Sequence, residues 1–127
     1  MTSEHTPQAG TIAWTDLTVP DADALRDFYA AVTGWESEAV SMGQYRDYNM
    51  KDQDGKAVAG ICHQRGSNAN MPGQWMLYIV VTDLDESMAQ CKKLGGDVVD
   101  GPRGTGGESR FCVIRDLSGA VAGLYQP

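Results

Sequence analysis

At 127 residues with a formal net charge of −7, the chain has the size of one domain, with room for a sizeable core. Its acidic balance disfavours nucleic acid and anionic lipid as partners, since both need a basic surface, and no apolar run approaches the roughly 18 residues of a membrane-spanning helix. Three widely spaced cysteines, Cys62, Cys91 and Cys112, are odd in number and form no CxxC pair, which argues against a disulfide framework and for a cytoplasmic setting.

Residues 1–10 are polar and lack the basic start and apolar segment of a secretory signal, so they are expected to form a flexible leader. Residues 11–19 alternate as a strand does, with Ala13, Leu17 and Val19 on one face and Trp14, Asp16 and Thr18 on the other. Asp21 can cap a helix in which Leu25, Phe28, Tyr29 and Val32 recur at helical spacing, and Gly34 ends it. Three strands follow, over 35–40, 44–51 and 57–64, the last two separated by a turn at Asp52-Gln53-Asp54-Gly55. Residues 65–73, rich in Gly, Ser, Asn and Pro, read as a linker.

The second half runs in the same order. Residues 74–82 alternate, with Leu77, Ile79 and Val81 on one face and Met76, Tyr78 and Val80 on the other. Asp83 and Glu86 resemble a capping box, Leu84, Met88 and Cys91 share a helical face, and Lys92 and Lys93 suit a helix C-terminus before Gly95-Gly96. Strands are expected over 97–100, 109–115 and 120–126. The glycine-rich stretch 101–107 reads as a loop, a mobile flap rather than a phosphate cradle, because it precedes a strand and lacks the Lys and Ser/Thr of a P-loop.

The two halves repeat each other. Val19-Pro20-Asp21 returns as Val81-Thr82-Asp83, Gly34 as Gly96, Asp52-x-x-Gly55 as Asp116-x-x-Gly119, and Ala57-Val58-Ala59-Gly60 as Ala120-Val121-Ala122-Gly123. A duplication of this kind implies two copies of one small unit with a groove where they meet. Superposing the copies places Leu17 on Ile79, Val19 on Val81, Trp14 on Met76, Asp16 on Tyr78, Gly60 on Gly123 and Cys62 on Tyr125. Apolar residues thus match on the helix-facing side, and the second set faces the groove.

The βαβββ duplication, the segment from Val19 to Trp35, the DxxGxxVAG turn-and-strand, and the run from Val81 to Val99 resemble the vicinal oxygen chelate superfamily. That superfamily holds glyoxalase I, extradiol dioxygenases and the bleomycin- and fosfomycin-resistance proteins. The resemblance spans residues 11–127. It implies an α+β protein of two tandem βαβββ modules, residues 11–64 and 74–127 joined by the linker 65–73, whose sheets curl around a shared cleft. It also implies a homodimer. Because one scaffold hosts several chemistries, it says little about activity. In metal-using members, the first and last strands of each module supply His, Gln or Glu to a divalent ion. Matched position by position, those sites fall on Trp14, Gly60, Met76 and Gly123, none of which offers the imidazole, carboxylate or thiolate that such ions need at about 2.0–2.3 Å. No metal and no other cofactor is therefore expected.

Candidate ligand-binding residues are Trp14, Asp16, Cys62, Met76, Tyr78, Arg110 and Tyr125. The Trp14 indole could serve as a platform for a flat or cationic ligand, or simply fill the space a metal occupies in relatives. Asp16 could bind a cation, act as a general base, or sit solvated at the strand rim, and it is the one weak candidate for a catalytic residue. Tyr78 and Tyr125 could offer hydroxyls. Arg110 could hold an anion or pair with Glu108. Cys62 and its neighbour His63 point to opposite faces of a strand, so a Cys–His nucleophilic pair is not expected. Two functional classes remain open: a metal-free small-molecule binding protein of the resistance type, or a glyoxalase-like lyase, isomerase or dioxygenase with a displaced metal site or metal-independent chemistry.

Overall fold

The structure, a computed structural model, describes residues 7–127; the first six residues of the expected leader, with His5, lie outside the described residues. Among the described residues the chain forms two compact units, one of residues 15–75 and one of residues 7–14 with 76–127.

In the first unit the order is β1 (Ile12–Val19), α1 (Ala22–Thr33), β2 (Glu36–Ser41), β3 (Arg46–Lys51) and β4 (Ala57–His63). Its strands lie in the order β2-β3-β4-β1. Strand β1 runs parallel to β4, while β2, β3 and β4 are antiparallel neighbours. Helix α1 starts where Asp21 accepts a hydrogen bond from the Ala24 amide and stops at Gly34, whose φ of 82° is left-handed. A side-chain cap of this kind satisfies one of the orphan amides at a helix start, and only glycine enters the left-handed stop without strain. The helix buries Ala22 and half-buries Leu25 and Tyr29 against Val19, Tyr48, Met50, Ala59 and Ile61.

Beside this core stands a ring cluster. Trp75 Nε1 donates to the Tyr29 hydroxyl at 3.0 Å, and Tyr29, Trp35 and Trp75 have centroids 5.2 to 6.1 Å apart. Trp35 and Trp75 are thus committed to packing.

In the second unit the order is β5 (Trp75–Val80), α2 (Leu84–Lys93), β6 (Asp97–Gly106), β7 (Ser109–Arg115) and β8 (Val121–Gln126). The strand order is β5-β8-β7-β6, with β5 parallel to β8. Gly10 and Thr11 bond across to Val80, at 2.8 Å in each direction. Helix α2 is capped by Asp83, which accepts from the Glu86 amide. Its core is Leu84, Cys112 and Leu124, with Ile79, Val81, Met88, Val98 and Ile114 packed around them.

Strand β6 departs from expectation. It does not stop at Asp100; it continues through the glycine-rich stretch to Gly106, with Arg103 opposite Phe111 and Gly104 opposite Arg110. Register shifts at three places absorb the irregular residues, and Gly101 and Gly106 adopt φ of 93° and 109°. Bulges let a strand carry glycine and proline without losing its partner. The segment expected to be a flap is a paired edge strand.

Among the described residues no helix is long and apolar enough to cross a membrane.

Candidate functional site

In the unit containing residues 76–127, strand alternation separates two faces. Ile79, Cys112, Ile114 and Leu124 turn toward α2. The opposite face carries Tyr78 opposite Gly123, and Tyr125 opposite Phe111, which in turn lies opposite Arg103. The Tyr78 ring packs directly against Gly123: a Cβ added there would come within 2.5 Å of Tyr78 Cε1 and 3.0 Å of Cγ. Phe111 meets the Tyr78 ring edge-on, with centroids 6.0 Å apart. The Arg103 guanidinium stacks 5.0 Å from the Phe111 centroid and donates to Asp100 Oδ2 at 2.6 Å. Edge-to-face rings and a stacked guanidinium hold one another in place at about 0.5–1.5 kcal/mol per pair. The result is an aromatic platform bordered by an ion pair.

Of the residues expected at a ligand site, Tyr78 and Tyr125 share this face, and half-buried Trp14 belongs to the same compact unit. Met76 is 1% exposed, so its thioether is not presented to solvent. Arg110 lies elsewhere. Its strand neighbour Gln126 accepts from the Leu84 amide at the start of α2, and Arg110 itself pairs with Asp85 of that helix at 3.2 Å. It therefore stands on the helix side, bound to Asp85 and not to Glu108. Phe111 and Arg103 were not anticipated; alternation from the buried Cys112 would have put Phe111 on the face away from the helix, whereas Arg103 sat in the stretch read as a loop.

Asp16 and Cys62 lie in the other unit. Asp16 faces Gly60 across the parallel β1–β4 pair, and Thr18 faces Cys62. Burial, then the nearby Asp16 and Asp47 carboxylates, push the Cys62 thiol up to about 12. A thiol in that state stays protonated at neutral pH and is a poor nucleophile. Asp47, 6% exposed, also takes the His63 backbone N–H at 2.9 Å. Asp16 thus sits on the face opposite α1, close enough to Cys62 for its charge to be felt there.

The four positions matched above to the family's metal ligands, Trp14, Gly60, Met76 and Gly123, carry side chains that do not suit a divalent ion. Met76 is buried, Gly60 and Gly123 have no side chain, and the Tyr78 ring covers the spot into which a side chain at Gly123 would project. No imidazole, carboxylate or thiolate stands at any of the four.

A glyoxalase-like domain family model matches residues 14–124. Among curated relatives, the anthracycline biosynthesis protein DauV of Streptomyces sp. (strain C5) is 30% identical over 129 residues, covering 92% of this chain and 47% of its own length. CFP32 of Mycobacterium bovis is 34% identical over 119 residues, covering 92% and 46%. The chain thus spans about half the length of the curated relatives it matches. Among solved structures, a Streptomyces coelicolor methylmalonyl-CoA epimerase in complex with 2-nitronate-propionyl-CoA aligns over 94% of this chain and 98% of its own, with a TM-score of 0.57 and 21% identity. A glyoxalase/bleomycin resistance protein/dioxygenase superfamily member from Vibrio splendidus 12B01 aligns over 92% and 100%, with a TM-score of 0.62 and 9% identity. At such identities these two establish the fold alone.

Proposed function

This chain belongs to the glyoxalase-like domain family and has its α+β fold, and on that footing we propose that it binds a flat organic molecule on the Tyr78–Phe111–Tyr125 face without a metal ion at the family's ligand positions. The observation that carries the reading is the Tyr78 ring packed against Gly123, so that it fills the space into which any side chain at that position would project. An aromatic face next to a fixed guanidinium–carboxylate pair suits a planar ring system carrying polar edge groups: stacking supplies contact area, and Arg103 and Asp100 offer a donor and an acceptor at the margin. The relative DauV is named for anthracycline biosynthesis, which makes polycyclic quinones a sensible first class of ligand.

The protein's part in this reading is sequestration: it holds the molecule and excludes water from one of its faces. A homodimer and a cytoplasmic setting complete it. The exposed Phe28 and Val32 of α1, 55% and 65% accessible, are consistent with the first, and three free thiols with the second. Light scattering that gave the mass of one chain would remove the dimer.

The test is a thermal-shift screen of planar polycyclic compounds with an excess of chelator, since a specific ligand raises the melting temperature by mass action. A saturable rise that survives the chelator supports the proposal. A rise seen only when a divalent ion is supplied, or none across the panel, overturns it.

A second reading rests on Asp16, which projects across from side-chain-free Gly60. There it could act as a general base in a metal-independent reaction. Asp16→Asn would then abolish turnover of a substrate that the wild type converts; unchanged turnover removes Asp16 from the chemistry.

A further inference from the structure

We propose that Asp21, Asp23 and His63 form a binding site for one divalent transition-metal ion of the zinc class at the start of α1. This site is separate from the family's ligand positions and independent of the reading above. The three side chains bring their ligand atoms within 4.8 Å of one another. They meet because β1 lies parallel to β4 with Val19 opposite His63, and Asp21, two residues after Val19, caps α1. The first turn of the helix is thereby set over the end of β4.

His63 is the observation that lifts this group above a surface carboxylate pair. The residue is 9% exposed, and its ring is held from behind: Nδ1 lies 3.4 Å from Asp47 Oδ1, the same oxygen that accepts the His63 backbone N–H. Tyr45 closes one side of the imidazole, with ring centroids 5.4 Å apart. A carboxylate on one ring nitrogen fixes the tautomer that leaves the other nitrogen able to ligate. That other nitrogen, Nε2, makes no hydrogen bond among the described residues and points to Asp23 Oδ1 at 4.0 Å. The distance is too long for a hydrogen bond; it is a little wider than the roughly 3.3–3.6 Å between two ligands of a tetrahedral ion, so an ion bound there would draw the exposed Asp23 carboxylate toward the ring.

The carboxylates have outer support of their own. Asp23 Oδ1 accepts from the Tyr48 hydroxyl at 2.6 Å, and Tyr48 accepts from Arg26 at 2.8 Å. Asp21 uses Oδ1 to cap the Ala24 amide at 3.1 Å, which leaves its second oxygen for the ion. The positive end of α1 opposes a cation only weakly within its first turn, against two carboxylates. One imidazole and two carboxylates make a three-ligand set with a water in the fourth place, a pattern that suits zinc.

The test uses the full chain carrying His5→Ala, so that His63 is the one imidazole left, with zinc chloride or cobalt(II) chloride as probe and no organic ligand present. Calorimetry is expected to give one equivalent per chain, and cobalt to develop visible bands. Asp21→Asn keeps the helix cap and Asp23→Asn keeps an acceptor for Tyr48, so both variants remain folded; each should weaken zinc at least about tenfold, and His63→Gln should abolish it. No zinc uptake at millimolar concentration, or uptake unchanged in the two Asn variants, overturns the site. Neither result bears on ligand binding at Tyr78.

Discussion

The Tyr78 ring and the bare backbone of Gly123 are made for each other: they stand opposite in the parallel β5–β8 pair, and a single added carbon at Gly123 would fall 2.5 Å from Cε1 of the ring. Gly123→Ala must push the ring off the strand or bend the strand away. Overpacking of this kind costs about 1–3 kcal/mol, so thermal unfolding should show a melting point lower by at least about 2 °C. An unchanged melting point would mean that the ring is not held against the strand.

Truncating the platform should cost affinity without costing the fold. Tyr78→Ala removes the central ring and is expected to weaken a planar ligand at least about tenfold, or about 1.4 kcal/mol. Arg110→Ala should leave affinity unchanged, because that side chain is spent on Asp85 at the helix side. Equal losses in both variants would place the ligand elsewhere.

The two thiols with raised pKa values set an alkaline limit. Burial holds Cys62 up to about 12 and Cys112 up to about 11, from an ordinary 9.0. Both groups bind a proton more tightly folded than unfolded, so their contribution is complete below about pH 9 and is lost as pH rises toward 11 and 12. Denaturant midpoints should fall over that window, and Cys62→Ala should flatten part of the fall. A midpoint that is level from pH 9 to pH 11 in the wild type would contradict the burial of the thiols.

Capping can be checked in the same assay. Asp83 accepts the Glu86 amide at 3.1 Å, and Asp83→Ala should cost about 0.5–2 kcal/mol, with Asp83→Asn near neutral. Equal stability of all three proteins would show that the cap contributes nothing.

Local signals carried most of the fold. Asp21, Gly34 and Asp83 announced the helix ends because capping depends on residues within one turn. The repeat placed Asp16 on Tyr78 and Gly60 on Gly123, and in the structure Asp16 faces Gly60 just as Tyr78 faces Gly123. The length of β6 was not legible, since Gly101, Pro102 and Gly104 read as loop residues when the pairing with Phe111 and Arg110 that keeps them extended is unknown. Two features of the candidate sites escaped for the same reason. Arg103 reaches Phe111 only through that unforeseen pairing. His63 meets Asp21 and Asp23 only because β1 and β4 are parallel neighbours, and sequence alternation, which set His63 aside as facing away from Cys62, contains no information on which strands adjoin.

The most direct test of the metal-free platform is calorimetric titration of an anthracycline aglycone into wild type and Tyr78→Ala, both in excess chelator. Saturable one-to-one binding by the wild type that collapses in the variant is the predicted result. Binding that vanishes from the wild type under chelator and returns with added zinc would contradict it.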